Sequence, residues 1–275
     1  MMTSNRKLKE LSENVRRIID GQPVDLRDNR EGVFSILKND IHTLATLKNE
    51  QVDALQADKI ALKETLADIS HQLKTPLTSM LIMVDLLDTA PPEKQAEFID
   101  NIRTSLAHTE WLVSTLLKMA KLDAGAVEFT HNEVSPSDIA RLALEPLQIL
   151  LDVRNQSVSV DSTDITISCD RRWTAEALTN ILKNASEYSP LGGVITVSVG
   201  SNPICSWVSV SDSGTGIANS DIPKLFKRYK GSRSDKGYGV GLPLSLAIMH
   251  GQNGDIEVNG GSNGSGATFT LKFYK

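Results

Sequence analysis

Several short stretches of this chain have residue types and spacings that could carry chemistry. The first is Ile69-Ser70-His71-Gln72-Leu73-Lys74-Thr75-Pro76-Leu77. If Leu66, Ile69 and Leu73 lie on the apolar seam of a helix, His71 falls on the outer face. Thr75 then lies one turn later on the same side. An exposed imidazole with a neighbouring hydroxyl can act as a nucleophile, although most surface histidines do no chemistry. Pro76 removes one helical hydrogen bond beside it, so the helix should kink near the site.

A second set lies far downstream. Asn180 and Asn184 share a face of an expected helix, and carboxamide oxygens suit Mg²⁺, which takes few protein ligands and keeps its waters. The same spacing is common on ordinary exposed helices. Asp212-Ser213-Gly214-Thr215-Gly216-Ile217 follows a strand directly. A carboxylate there can accept from an amino group, and the glycines let backbone approach a flat ligand. Gly237-Tyr238-Gly239-Val240-Gly241-Leu242-Pro243 leads into a helix. Glycine-rich backbone before a helix start can cradle phosphate, because free N–H groups and the helix dipole both favour anions. Either glycine motif could also be a plain tight turn.

The elements that must position these residues divide the chain in two. Residues 5–125 read as almost wholly helical, leaving fifteen of the 18 glycines to the remainder. Apolar residues recur at Phe34, Leu37, Ile41 and Leu44, then at Val52, Leu55, Leu62, Leu66, Ile69 and Leu73, with a phase break near Leu47. Such heptads indicate a coiled coil with a stutter, the alternative being an amphipathic helix on a globular core. Pro91-Pro92 ends this helix. A second runs from about Glu93 through Phe98, Ile102, Leu106, Leu112, Leu116 and Met119, and stops near Gly125. A lone hairpin would leave an apolar face wet, so two copies are expected to close a dimeric four-helix bundle. The second part alternates strands (157–161, 165–169, 194–199, 205–211, 254–259, 267–273) with helices (137–152, 172–187, 243–250). That mixture predicts a two-layer α/β sandwich. The unpatterned stretch from Phe226 to Gly241 reads as a lid.

Composition sets the outer bounds. The chain has 275 residues, a formal net charge of -5, 40% hydrophobic and 23% charged residues. Two modest domains fit that length, and nothing marks a basic nucleic-acid binder. Cys169 and Cys205 read as small buried residues in a reducing compartment. No stretch offers the ~20 apolar residues of a spanning helix, and the charged start carries no signal peptide.

In chain order these stretches resemble the sensor histidine kinases of two-component systems. Ile69–Leu77 is similar to their H box, Asn180–Pro190 to the N box and Asp212–Ile217 to the G1 box. Ile222–Tyr229 resembles the F box and Gly237–Leu242 the G2 box. The resemblance covers about residues 61–275. It implies a helical connector over 1–60, a dimerisation and histidine phosphotransfer domain over 61–126, and a catalytic ATP-binding domain over 127–275.

By that resemblance His71 accepts the γ-phosphoryl of ATP, and an aspartate on a response-regulator receiver domain receives it next. Asp212 reads the adenine amino group. Asn184 holds Mg²⁺, Asn180 supports the phosphates and Tyr188 lies beside the nucleotide. Gly214, Gly216, Gly237, Gly239 and Gly241 shape pocket and lid, with Lys230 and Arg233 as candidate phosphate contacts. The resemblance also implies a cytoplasmic place, as a soluble kinase or as the inner part of a receptor whose membrane segment lies upstream. Two positions bear on the activity. The family usually carries Glu or Asp where Gln72 stands, and a carboxamide can orient the imidazole but is no useful base. Thr75 matches the position that prepares water to dephosphorylate the regulator. An ATP-binding scaffold, or a phosphatase-biased regulator with weak autokinase activity, is the alternative.

Overall fold

The structure is a computed structural model. It describes residues 2–20, 22, 24–27, 32–161, 164–227, 239–261 and 266–275. Lys230, Arg233 and Gly237 therefore lie outside the described residues. The chain forms two compact units, one through Ala67 and one from Asp68 onward.

The first unit holds α1 (Met2–Ile19) and the start of α2 (Val33–Leu87), with residues 24–27 between them outside regular helix or strand. Leu11 and Leu26 are its buried apolar anchors. The Gly32 carbonyl accepts the N–H groups of Ser35 and Ile36, which starts α2. Arg27 grips Asp25 through Nε and Nη2 (2.9 and 2.6 Å). That guanidinium holds the Asp25 carboxyl well below the usual carboxylate range.

The second unit opens with the rest of α2, which stays helical through Pro76, and with α3 (Pro92–Asp123). Gln95 ties the turn between them, its Nε2 donating to the carbonyls of Leu87 and Ala90 at 3.0 Å each. Pro92 suits the first turn of α3 because its missing N–H has no helical partner to lose. At the far end Gly125 adopts φ +61°. Its N–H reaches Leu122 O while Ala126 N–H reaches Lys121 O, the paired bonds of a Schellman stop.

Beyond the hairpin come β1 (Asn132–Val134), α4 (Pro136–Leu144), α5 (Gln148–Val153), β2 (Ser157–Val160) and β3 (Ile167–Cys169). Next are α6 (Arg171–Tyr188), β4 (Val194–Ser201), β5 (Cys205–Ser211) and α7 (Ile222–Leu225). The chain closes with α8 (Gly241–Gly251), β6 (Gly254–Asn259) and β7 (Thr268–Tyr274). The main sheet has the order β2-β4-β5-β7-β6, with β2 and β4 parallel and the other pairs antiparallel. Ile195, Val197, Val208, Val210, Phe269 and Leu271 meet Leu178, Ile181, Leu244, Ile248 and Met249 in one core. This is the expected two-layer α/β sandwich following long helices.

Three local readings change. The single helix expected over 137–152 is α4 and α5 with a 3₁₀ turn, Glu145–Leu147, between them. Pro146 in that turn cannot supply the N–H that a continuous helix needs. The strand expected over 165–169 shortens to β3, which pairs with β1 in a separate two-stranded sheet. Short α7 falls where no helix was expected. Cys169 and Cys205 are free and buried, and burial pushes the Cys169 thiol up.

Asp170 caps α6. Its Oδ1 accepts from Arg172 N–H (3.0 Å) and Trp173 N–H (3.1 Å). Its Oδ2 accepts from Thr130 N–H (3.1 Å) and Oγ1 (2.8 Å). Burial alone would raise this carboxyl, but the N–H groups of Trp173, Thr130 and Arg172 and the Thr130 hydroxyl together hold it below its usual range. A depressed folded pKa gives stability that is present above the unfolded value, near 4, and lost as pH falls through the folded value. Asp170→Ala is therefore expected to cost about 1–2 kcal/mol at neutral pH. Urea midpoints should show that gap narrowing below about pH 4, and a gap unchanged down to acid pH would contradict the assignment.

Candidate nucleotide and phosphoacceptor sites

Asp212 stands just past the end of β5. Its Oδ1 accepts two backbone hydrogen bonds, from Gly214 N–H (2.8 Å) and Ala267 N–H (3.1 Å). Among the described residues nothing donates to Oδ2. The turn that holds the carboxylate is packed against α6, where a Cβ on Gly214 would lie 2.6 Å from Tyr188 O. Gly216 has φ +78°, and a Cβ there would meet Gly260 O at 2.5 Å. Both glycines are thus required by close backbone approach. Tyr188, at the last position of α6, is half exposed beside this turn.

Asn180 lies on the buried face of α6, and its Nδ2 is buried with no described acceptor. A Cβ on Gly241, the first residue of α8, would sit 3.5 Å from the Asn180 carboxamide. Ser245 fastens the two helices, its hydroxyl placed to donate to Ala177 O (3.1 Å) or Gly241 O (3.0 Å). Gly239 enters the α8 start at φ +64°. A buried amide donor and the N-terminal N–H groups of an 11-residue helix therefore share one neighbourhood. Donors gathered at a positive dipole end suit an anion, and an orphaned buried N–H calls for an acceptor. Asn184, one turn on, is half buried.

So α6 links the expected residues into two groups: Tyr188 with Asp212, Gly214 and Gly216 at its end, and Asn180 with Gly241 further back. The histidine motif is separate, on α2. His71 is solvent-exposed, as its heptad phase expects, and Thr75 Oγ1 donates to His71 O at 3.1 Å. Pro76 has no N–H to offer the Gln72 carbonyl. What joins hairpin to sandwich is α3. Leu112 and Met119 are buried in the common core, and Lys118 Nζ pairs with Glu176 Oε1 at 2.7 Å. Lys183, between the two asparagines on α6, lies 4.7 Å from the centre of the Trp111 ring.

The sequence reading missed several of these groups. Gly260, Gly266 and Ala267 grip the Asp212 loop; the two glycines had a signal in the glycine run before β7, whereas Ala267 acts only through its backbone. Glu176, Lys118 and Trp111 carried no local motif, because each matters only through a partner distant in sequence.

Residues 169–275 match the family described as histidine kinase-, DNA gyrase B- and HSP90-like ATPase. Residues 61–125 match the His Kinase A (phospho-acceptor) domain. The first match contains both groups linked by α6 and the second contains the histidine motif; together they span more than half of the chain, which belongs to the sensor histidine kinases. It is 28% identical over 210 residues to heme sensor protein HssS of Staphylococcus saprophyticus, covering 76% of this chain and 45% of HssS. It is 25% identical over 275 residues to sensor protein CreC of Escherichia coli K12, covering 98% of this chain and 56% of CreC. The chain thus spans about half the length of these relatives. In fold it resembles histidine kinase ThkA, solved in complex with response regulator protein TrrA, at TM-score 0.65 and 21% identity, over 83% of this chain and 66% of ThkA. Among the described residues no helix is long and apolar enough to cross a membrane.

Proposed function

We propose that this chain is the catalytic core of a sensor histidine kinase that moves the γ-phosphoryl of ATP to His71 and then to a response-regulator aspartate. The observation that carries the reading is Asp212, one oxygen taking two backbone N–H groups and the other meeting no donor among the described residues, beside the end of a helix that also carries a buried amide with no described acceptor next to a helix N-terminus. One end suits a base with an amino donor, the other suits phosphate.

Residues 127–275 bind the nucleotide, 61–126 carry the phosphoacceptor and 1–60 act as a connector. Asp212 Oδ2 accepts from the adenine amino group, and Tyr188 lies alongside the base. Asn180 Nδ2 and the α8 start with Gly239 and Gly241 face the phosphates. The lid residues Lys230, Arg233 and Gly237 belong to the same proposal. Among the described residues there is no cluster of three or more His, Cys, Asp or Glu that could hold a metal ion. The carboxamide of Asn184 fits Mg²⁺, which is held mainly by phosphate and water in such sites and neutralises phosphate charge when bound.

A lone pair on one ring nitrogen of His71 attacks the γ-phosphorus, the bond to the bridging oxygen of ADP breaks, and the exposed imidazole releases its ring proton to solvent water. Gln72 Oε1 is buried away from solvent in the structure; turned toward the imidazole it would accept from the ring N–H and fix the tautomer without removing that proton. The exposed apolar residues Leu77, Leu81, Val84, Leu106 and Leu117 on the hairpin support a homodimeric bundle. The ThkA–TrrA complex supports a receiver domain as the partner. The site of action is the cytoplasm, where ATP is supplied.

Incubating the chain with γ-labelled ATP and Mg²⁺ tests the reading. Label bound to protein and lost in acid supports the kinase, whereas free phosphate alone would assign a simple ATPase and contradict it. Regulator dephosphorylation is the second part of the proposal. The Thr75 hydroxyl uses its proton on His71 O, which leaves its lone pairs to orient a water. Thr75→Ala should slow loss of phosphate from a phosphorylated regulator by about ten-fold or more, the range of one positioned polar group. Its autophosphorylation rate should stay near that of the parent, and parallel loss of both activities would argue against this role.

A further inference from the structure

We infer that the two ends of the β6–β7 connection position the base-reading carboxylate, with Gly260 at one end and Gly266 and Ala267 at the other clasping the Asp212–Ile217 loop and deciding which oxygen of Asp212 meets a nucleotide. This rests on the reading of Asp212 given above.

The clasp closes at both ends of the loop. At one end Asp212 N–H donates to Ala267 O at 3.0 Å, and Ala267 N–H returns to Asp212 Oδ1 at 3.1 Å. At the other end Ile217 N–H donates to Gly260 O at 2.7 Å. The fit leaves no room for side chains. A Cβ on Gly266, at φ +75°, would lie 1.9 Å from Asp212 O, and one on Gly260 would lie 2.0 Å from Ile217 O.

The chemical consequence falls on a single atom. Ala267 is buried, as is Gly214, so both N–H groups reach Oδ1 away from bulk water. Hydrogen bonds to an ionised oxygen are the strong ones, and more so where water is excluded. They hold the carboxylate in one rotamer and occupy Oδ1. Oδ2 then offers only acceptor character to a ligand. A purine with an amino group at position 6 matches it, while a 6-oxo purine sets acceptor against acceptor. Without the Ala267 N–H, Oδ1 keeps one donor and the carboxylate can rotate. Ala267 and Gly266 are positioning residues, acting on selectivity through Asp212 and not on the phosphates.

The test compares affinities of the full chain with Mg²⁺ for ATP and for purine riboside triphosphate, which has hydrogen in place of the 6-amino group. The unmutated chain should prefer ATP, and Asp212→Asn should lose that preference. Gly266→Ala and Ala267→Pro should each weaken ATP by about ten-fold or more, the scale of a hydrogen bond to a charged group, and the analogue by much less. Ala267→Ser keeps the N–H and should keep the preference. Preference lost in Asp212→Asn but retained in both clasp variants overturns this inference alone, as does equal weakening of both ligands. No preference in the unmutated chain overturns the reading of Asp212 as well. One measurement needs no clasp variant to fold: the Ala267 amide should exchange with solvent faster in Asp212→Ala than in the parent, and equal exchange overturns the clasp.

Discussion

Asp212→Asn is expected to weaken ATP binding by roughly 10- to 100-fold, the equivalent of losing about 1.5–3 kcal/mol of hydrogen bonding to a charged group. The substitution is nearly isosteric, so the loss comes from donor and acceptor bookkeeping alone. The carboxylate receives Gly214 and Ala267 N–H groups on one side, and among the described residues nothing donates to the other. A carboxamide has one oxygen and one nitrogen. With its oxygen toward the two backbone donors, its Nδ2 faces the adenine amino group, donor against donor. With the amide turned over, the base is satisfied but Nδ2 meets two buried N–H groups. Neither orientation serves both sides, whereas a carboxylate does. Titration calorimetry with ATP and Mg²⁺ checks this, and a change below about two-fold with intact melting would contradict the role, since a single lost bond of this kind exceeds it.

Gln72→Glu is expected to raise the autophosphorylation rate by at least about ten-fold at neutral pH, a floor beneath the roughly 10²- to 10⁴-fold that a positioned general base contributes. Gln72 and Glu have the same length and shape, so the substitution changes the chemistry more than the packing. Only the carboxylate can take the proton that His71 must lose. The gain should fade as pH falls toward about 4.3, the ordinary glutamate value, because a protonated carboxyl is no base. Initial rates of protein labelling across pH separate the two proteins, and equal rates at pH 7 would sink the argument. A large gain would also say that this chain runs its forward reaction slowly by design of one residue, which leaves more weight on Thr75 and the reverse direction.

Much of the architecture was legible from periodicity. The strands at 205–211 and 254–259 appear with those bounds as β5 and β6. The helix breaks follow from local chemistry, with Pro91-Pro92 and Gly125 acting within a few bonds of themselves. Failures came where a neighbour distant in sequence decided the outcome. β1 is three residues long and exists because β3 pairs with it, so no pattern of its own could announce it. Pro146 did carry a local signal, and the helix over 137–152 should have been broken there.

The sites divide along the same line. Asp212, Gly214 and Gly216 were visible because a strand end followed by spaced glycines is a local pattern. Ala267 was invisible because its part is played by a backbone N–H, which every residue but proline has. Asn180 was visible as a type, but only its burial beside Gly241 separates it from an ordinary surface asparagine. His71 was placed on the solvent face by phase alone, and the structure puts it there.

Transfer of phosphate from ATP to His71 is tested most simply by labelling the full chain with γ-labelled ATP beside His71→Gln. The parent protein should carry acid-labile, alkali-stable label and the variant none, with both folded by circular dichroism. Equal label on His71→Gln would contradict this transfer, and so would label on the parent that survives acid.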